Sequence, residues 1–203
     1  HCLSSAASDV YKRQILYETN AQDLVNLYGD TFETPLLTND GLVIPKIGLK
    51  ESLRSEEYLN KVPTIAGSNK DEIKLWLGFS RYFIETKQSF LSKGIGIPTV
   101  EIKDEEKYQF YNEIRSKGWQ LRGVQEPLEN MFIAGNEDLY AYRYDWDNLR
   151  DFFVGDFSKI IGSAHALEIP MISGDFSLAE EFAWIIYPRS PSRRFVSKNM
   201  MNF

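Results

Sequence analysis

Apolar residues recur along the chain at two different periods, which predict alternating helices and strands. Val62 to Gly67 is a short apolar run with β-branched residues, typical of a strand buried on both faces. From Leu139 to Trp146 an aromatic residue occupies every second position, which is the period of a strand. Helical spacing predicts a helix over residues 49–59, one or two helices from 73 to near Gly94, a helix from 104 to 117–118 and a helix over 126–132.

Polar residues mark the ends of several of these elements. Thr19 or Asn20 can cap a short helix that carries Leu24, Leu27 and Tyr28 and stops at Gly29. A turn is expected at 39–41 (Asn-Asp-Gly), after Leu36 and Leu37, and a second polar turn at 68–72 follows the first strand. Asp104, followed by two glutamates, is a good helix N-cap.

Strands that alternate with helices indicate an α/β fold with a parallel sheet. The 203 residues are 43% apolar, enough to bury the core of one globular domain or of a large part of one. We interpret residues 1–14, HCLSSAASDVYKRQ, as a non-native tail, because they lack an initiating methionine and resemble translated sequencing-adaptor DNA. The alternative is a native flexible tail. Residues 15–203 are interpreted as part of a single domain.

Composition and charge exclude several classes of function. The net charge is −6 and no basic stripe is interleaved with aromatic residues, so nucleic acid is not an expected partner. No apolar run approaches the roughly 18 residues of a membrane span, which predicts a soluble protein in an unspecified compartment. One cysteine, Cys2, excludes an internal disulfide, and no metal or organic cofactor is predicted.

The candidate chemistry centres on His165, the only histidine besides His1. An unperturbed imidazole is suited to proton transfer near neutral pH. Loops at the carboxyl ends of parallel strands gather at one edge of a sheet, so Glu72, 93 positions earlier, can meet His165. A carboxylate on one imidazole nitrogen fixes the tautomer and leaves the other free to act as a base. Asp71 is the rival acid, although an acid in a turn is more often a solvated helix cap.

Several segments together resemble the type B carboxylesterase and cholinesterase family. They are DGLVIP (40–45), VPTIAGSNKDE (62–72), LYAYRYDWD (139–147), GSAHALEIPMISGDF (162–176) and the terminal RRFVSKNMMNF. The resemblance covers residues 15–203 and implies the C-terminal part of an α/β-hydrolase fold, truncated at both ends, with an incomplete central sheet and flanking helices.

The resemblance also implies a role for individual residues. Glu72 is the acid and His165 the base of a Ser-Glu-His triad, Glu168 supports them structurally, and Ser68 and Asn69 shape the Glu72 turn. The nucleophilic serine of such enzymes lies in a G-x-S-x-G turn, and the chain contains none. The expected function is therefore that of an inactive C-terminal fragment of a serine carboxylic-ester hydrolase. The alternative is a fragment of a catalytically dead, cholinesterase-like binding or adhesion domain.

The resemblance leaves the substrate and the assembly state open. The expected partner is a small ester of unspecified identity, and no oligomeric state is predicted. Phe152, Phe153 and Phe157, ahead of the histidine, are candidates for lining a substrate pocket.

Overall fold

The computed structural model describes residues 10–11, 13–15, 17–26, 38–88, 98–151, 154–177 and 183–202. The chain divides into two units, His1–Lys46 and Ile47–Phe203. Of the fourteen residues interpreted as a tail, the described ones (10, 11, 13 and 14) are helical and exposed.

The first unit contains α1 (Ala21–Asn26) and a turn at Gly41. Asn20 is the residue that caps α1, because its Oδ1 accepts a hydrogen bond from the Gln22 amide at 2.8 Å. The turn at Gly41 has φ +82° and is held by Asp40, whose carboxylate accepts from the amides that follow. The predicted positions Leu27, Tyr28, Gly29, Leu36 and Leu37 lie outside the described residues.

In its described part, the second unit combines helices with two small sheets, compatible with the predicted α/β class. Its strands are β1 (Thr64–Asn69), β2 (Ile84–Lys87), β3 (Thr99–Ile102) and β4 (Leu139–Tyr144). Its helices are α2 (Leu49–Leu53), α3 (Lys74–Leu77), α4 (Glu105–Gln120), a π-helical turn (Leu121–Gln125), α5 (Glu126–Ile133), α6 (Phe157–Ile160), α7 (Ile169–Ser173), α8 (Ala183–Ile186) and α9 (Pro191–Met201).

β1 and β4 pair in parallel, from Thr64 opposite Leu139 to Asn69 opposite Tyr144. Both strands were predicted, and their parallel pairing places their carboxyl ends side by side. Gly67 is required in this pair, since a Cβ there would lie 2.2 Å from the ring of Tyr142. The strand pair therefore brings the residues that follow Asn69 close to the end of β4.

The helical prediction from residue 73 to near Gly94 is wrong for residues 78–88, which form turns and a strand, and residues 89–97 lie outside the described residues. β2 pairs antiparallel with β3, with Ile84 opposite Ile102, and Gly94 itself lies outside the described residues. Phe83 and Ile84 have helical spacing from Ile73, but they bury their side chains by packing on Tyr108 and Ile160. Phe83 is thus buried from the turn before β2 and Ile84 from the first position of β2, so neither needs a helix for its burial.

Two helix ends also differ from prediction. The helix predicted over 49–59 ends at Leu53, and turns follow it. Tyr58 is exposed in these turns, so a longer helix would bury little additional apolar surface. The helix capped by Asp104 does not stop at Gly118, which is exposed and has open space around it. It continues through the π-helical turn directly before Pro127, where a widened turn accommodates a residue without an amide hydrogen.

Many of the buried apolar residues in the described part of the chain pack in two clusters. One contains Leu77, Phe83, Ile84, Tyr108 and Ile160. The other contains Tyr144, Met171 and Tyr187, with Tyr142 and Trp146 packed against it, so Tyr142 and Tyr144 of β4 and Trp146 just beyond it are packing residues. Within the described ranges, no helix combines the length and the apolar character needed to cross a bilayer.

Candidate active site

Glu72 lies in the turn between β1 and α3, and its carboxylate is almost fully buried. β1 extends to Asn69, so Ser68 and Asn69 belong to the strand and not to the turn in which they were predicted. The Asn69 amide donates a hydrogen bond to Glu72 Oε1 at 2.6 Å. This bond fixes the carboxylate at the carboxyl end of the strand and leaves Oε2 for a second partner.

That second partner is His165, whose Nδ1 lies 2.7 Å from Glu72 Oε2. The backbone reinforces the contact, since the His165 amide donates to the Glu72 carbonyl at 3.3 Å. The imidazole is 39% exposed, whereas the carboxylate is 4% exposed. Among the described residues, none hydrogen-bonds Nε2, so this nitrogen is available to a reacting group.

Asn69 and Glu168 hold the segment that carries His165 in place next to Glu72. Asn69 Nδ2 donates to the Ala164 carbonyl at 2.7 Å and to Glu168 Oε2 at 2.5 Å. The end of β1 is thereby tied to both sides of His165. Burial, with the charges of Glu168 and Glu72, raises the pKa of Tyr142 above its ordinary value and keeps this phenol neutral.

Asp71 is not the solvated helix cap that its position in a turn suggests. Its side chain is 1% exposed and forms an ion pair at 3.2 Å with Lys74, which is itself 7% exposed. Asp71 Oδ1 also accepts from Asn112 Nδ2 at 2.6 Å, and Oδ2 accepts from the amide and hydroxyl of Ser163 at 3.3 Å. Asp71 therefore joins the acid turn, α4 and the segment before His165.

The backbone near His165 adopts left-handed conformations at two positions. Gly162 has φ +54°, and a Cβ at this position would lie 2.4 Å from Asp71 Oδ2. Ala166 has φ +67°, a conformation that a residue with a Cβ rarely adopts. The chain thus turns sharply on both sides of the histidine.

Two tryptophans that the sequence did not single out as functional contact the imidazole. The ring centroids of Trp76 and Trp119 lie 5.3 and 5.1 Å from that of His165. Trp76 lies in the segment from residue 73 whose spacing predicts a helix, and no sequence pattern connects it with Trp119, 43 positions later. The contact of two indoles with one imidazole is visible only once the fold is known.

Other candidate residues do not join this cluster in the described contacts. Ser80, the one serine two positions after a glycine, lies beyond the end of α3, where its hydroxyl accepts from the Tyr82 amide. Phe157 begins α6, and Phe152 and Phe153 lie outside the described residues.

Comparison of the chain with known protein families, with curated proteins and with solved structures finds no match in any of the three. The resemblance to the esterase family therefore rests on the sequence motifs alone. The chemistry of the site rests on its geometry: a buried, tethered carboxylate orients an imidazole whose second nitrogen is available, as in a general base.

Proposed function

We propose that this chain supplies the acid and the base of a Ser-Glu-His triad in a protein that hydrolyses carboxylic esters. The observation that carries the proposal is the 2.7 Å contact between Glu72 Oε2 and His165 Nδ1. A carboxylate in this position holds the proton on Nδ1 and stabilises the imidazolium that forms when Nε2 accepts a second proton.

In the proposed reaction, Nε2 of His165 accepts the proton of a serine hydroxyl while the serine oxygen attacks the ester carbonyl carbon. The tetrahedral intermediate then expels the alcohol oxygen, which takes the proton from Nε2. Water repeats the cycle on the acyl-enzyme, which releases the acid and restores the serine. Glu72 stays ionised throughout and balances the imidazolium charge, so each step balances without a cofactor.

The α/β-hydrolase fold and the origin of the serine belong to the same proposal. Parallel strands, with an acid after one and a histidine after the other, support the fold, because the acid precedes the histidine in the chain order of α/β-hydrolases. The serine and the oxyanion-binding amides are proposed to come from a segment of the parent protein other than these 203 residues. The motif order of the chain supports this assignment.

A fluorophosphonate probe tests the proposal in the parent protein, because such a probe reacts fastest with a serine activated by a base. We expect the parent to be labelled and His165→Ala to lower the labelling rate by about 10³-fold or more. The control is Glu101→Gln, a change at an exposed glutamate that pairs with Lys87 and should leave labelling unchanged.

Two outcomes would overturn the proposal. Equal labelling of the parent and of His165→Ala would remove His165 as the base. A parent that is not labelled and has another residue at the serine position would favour a catalytically dead binding domain.

The 203-residue chain alone is expected to be inactive. Loss of the nucleophile from a triad costs several powers of ten in turnover. Hydrolysis of naphthyl acetate by the purified chain should therefore not exceed that by equimolar imidazole. Turnover above this level that His165→Ala abolishes would show that the chain holds its own nucleophile.

A further inference from the structure

Trp76 and Trp119 reach His165 from different elements of the fold. Trp76 lies on α3, directly after the Glu72 turn, and Trp119 lies near the end of α4. The three ring centroids form a triangle with sides of 5.1, 5.3 and 6.0 Å. Because the indoles lie this close to each other, they cover the imidazole on one side and do not enclose it.

Burial alone does not account for these two indoles. Trp76 is 49% exposed and Trp119 is 42% exposed, so each leaves much of its apolar surface in water. What the two share is contact with one titratable ring. An aromatic ring attracts a cation that lies over its face within about 6 Å of its centroid. Both indole centroids lie within this distance of the imidazole, which is tilted by 33° from the Trp76 ring and by 63° from the Trp119 ring.

We infer that Trp76 and Trp119 are positioning residues that stabilise the imidazolium form of His165. With Glu72 at Nδ1 and two indoles against the ring, the imidazole gains favourable contacts when it becomes charged. The catalytic meaning of this inference rests on the proposed function, in which His165 carries a proton between two half-reactions. The stabilisation of the imidazolium by the two indoles does not depend on the proposed function.

The sign of the effect separates this role from simple coverage. An indole that only shields the imidazole from water disfavours its charged form and lowers its pKa. An indole that attracts the imidazolium raises the pKa. Replacement of a tryptophan by leucine keeps apolar bulk and removes the aromatic face, so it reports which of the two effects is larger.

Several charged groups surround the imidazole and must stay constant in such a test. Glu72 contacts it directly, and Glu168 lies on its own segment. The Asp71–Lys74 ion pair flanks the Glu72 turn. On the helix side, the charged residues nearest to Trp119 in sequence are Lys117 and Arg122, and both are exposed, so solvent and salt screen them. Neither tryptophan substitution alters any of these groups.

The experiment is a pH titration of His165 by NMR in a His1→Gln background, where it is the single histidine of the chain. We expect Trp76→Leu and Trp119→Leu each to move the midpoint of the His165 titration to lower pH than in the parent background. Trp76→Phe and Trp119→Phe should lower it less. The control is Trp184→Leu, whose indole contacts Arg150 and which should leave the pKa unchanged.

An unchanged or raised pKa in the leucine variants would overturn the inference. If a leucine variant does not fold, the corresponding phenylalanine variant tests the inference, because its pKa for His165 should also be lowered. The titration needs neither a serine nor an ester. A lowered pKa in the leucine variants, with no probe labelling of the parent, would therefore support this inference and contradict the proposed function. Labelling of the parent that depends on His165, with an unchanged pKa in the leucine variants, would support the proposed function and contradict this inference.

Discussion

Ala166, directly after His165, has a left-handed backbone with φ +67°. For a residue with a Cβ this conformation costs roughly 1–2 kcal/mol, and glycine avoids most of that cost. Ala166→Gly is therefore expected to raise the free energy of unfolding by about 1 kcal/mol, measured by urea denaturation. The control is Ala141→Gly in β4, where added backbone freedom should lower it by about 0.5–1 kcal/mol. Equal losses in both variants would contradict the account.

The contact between Glu72 and His165 was predictable because Glu72 follows one of two parallel strands and His165 follows the other along the chain. The contacts of Trp76 and Trp119 were not. An indole in a helical apolar pattern is indistinguishable, in sequence, from a core residue, and the partner of each lies on another element. The role of Asp71 was missed for a related reason: its burial depends on Asn112 and Ser163, both of which are distant in sequence.

At the scale of elements, Asp71 holds three segments together through one buried carboxylate. Asp71→Ala would leave the Lys74 ammonium buried and unpaired and would remove the acceptor for Asn112 and Ser163. We expect this change to lower the free energy of unfolding by about 3–5 kcal/mol. Glu101→Ala, which breaks an exposed pair with Lys87, should cost less than about 1 kcal/mol. Similar losses from both, in denaturation curves, would refute the role of Asp71.

Among the elements, those with a strict period or a strong cap were predicted best. β4 has an aromatic residue at every second position, and Asp104 does cap α4, with Oδ1 accepting from the Lys107 amide at 2.9 Å. The β2–β3 pair was missed because four-residue strands are too short to establish a period. The continuation past Gly118 was missed because a glycine signals a helix end only in the absence of tertiary support.

At the scale of the whole molecule, Tyr108, Tyr144 and Tyr187 make stability sensitive to alkaline pH. Burial is the main reason that the pKa of each phenol is raised above the ordinary value near 10. The contribution of these neutral, buried phenols to the free energy of unfolding is fully present below pH 10. It is lost as the pH rises toward their pKa in the folded protein, because tyrosines of the unfolded chain ionise at lower pH. Each of the three tyrosines can lower the free energy of unfolding by up to about 1.4 kcal/mol per pH unit above pH 10.

Urea denaturation between pH 8 and 11 measures how steeply the free energy of unfolding falls with pH. Tyr144→Phe should make this slope smaller. The substitution is mild, since Tyr144 Oη has no hydrogen-bond partner among the described residues. Tyr140→Phe is the control, because Tyr140 is half exposed and should leave the slope unchanged. An equal slope in wild type and Tyr144→Phe would contradict the prediction.

The central claim is that Glu72 orients and charge-balances His165 in ester hydrolysis. Its most direct test is the kcat of the parent protein on a simple ester, compared between wild type, Glu72→Gln and the exposed control Glu101→Gln. The glutamine keeps an acceptor for the Asn69 amide but removes the charge beside Nδ1. We predict that kcat falls by about 10³–10⁴-fold in Glu72→Gln and is unchanged in the control. A Glu72→Gln variant with the kcat of wild type would contradict the account.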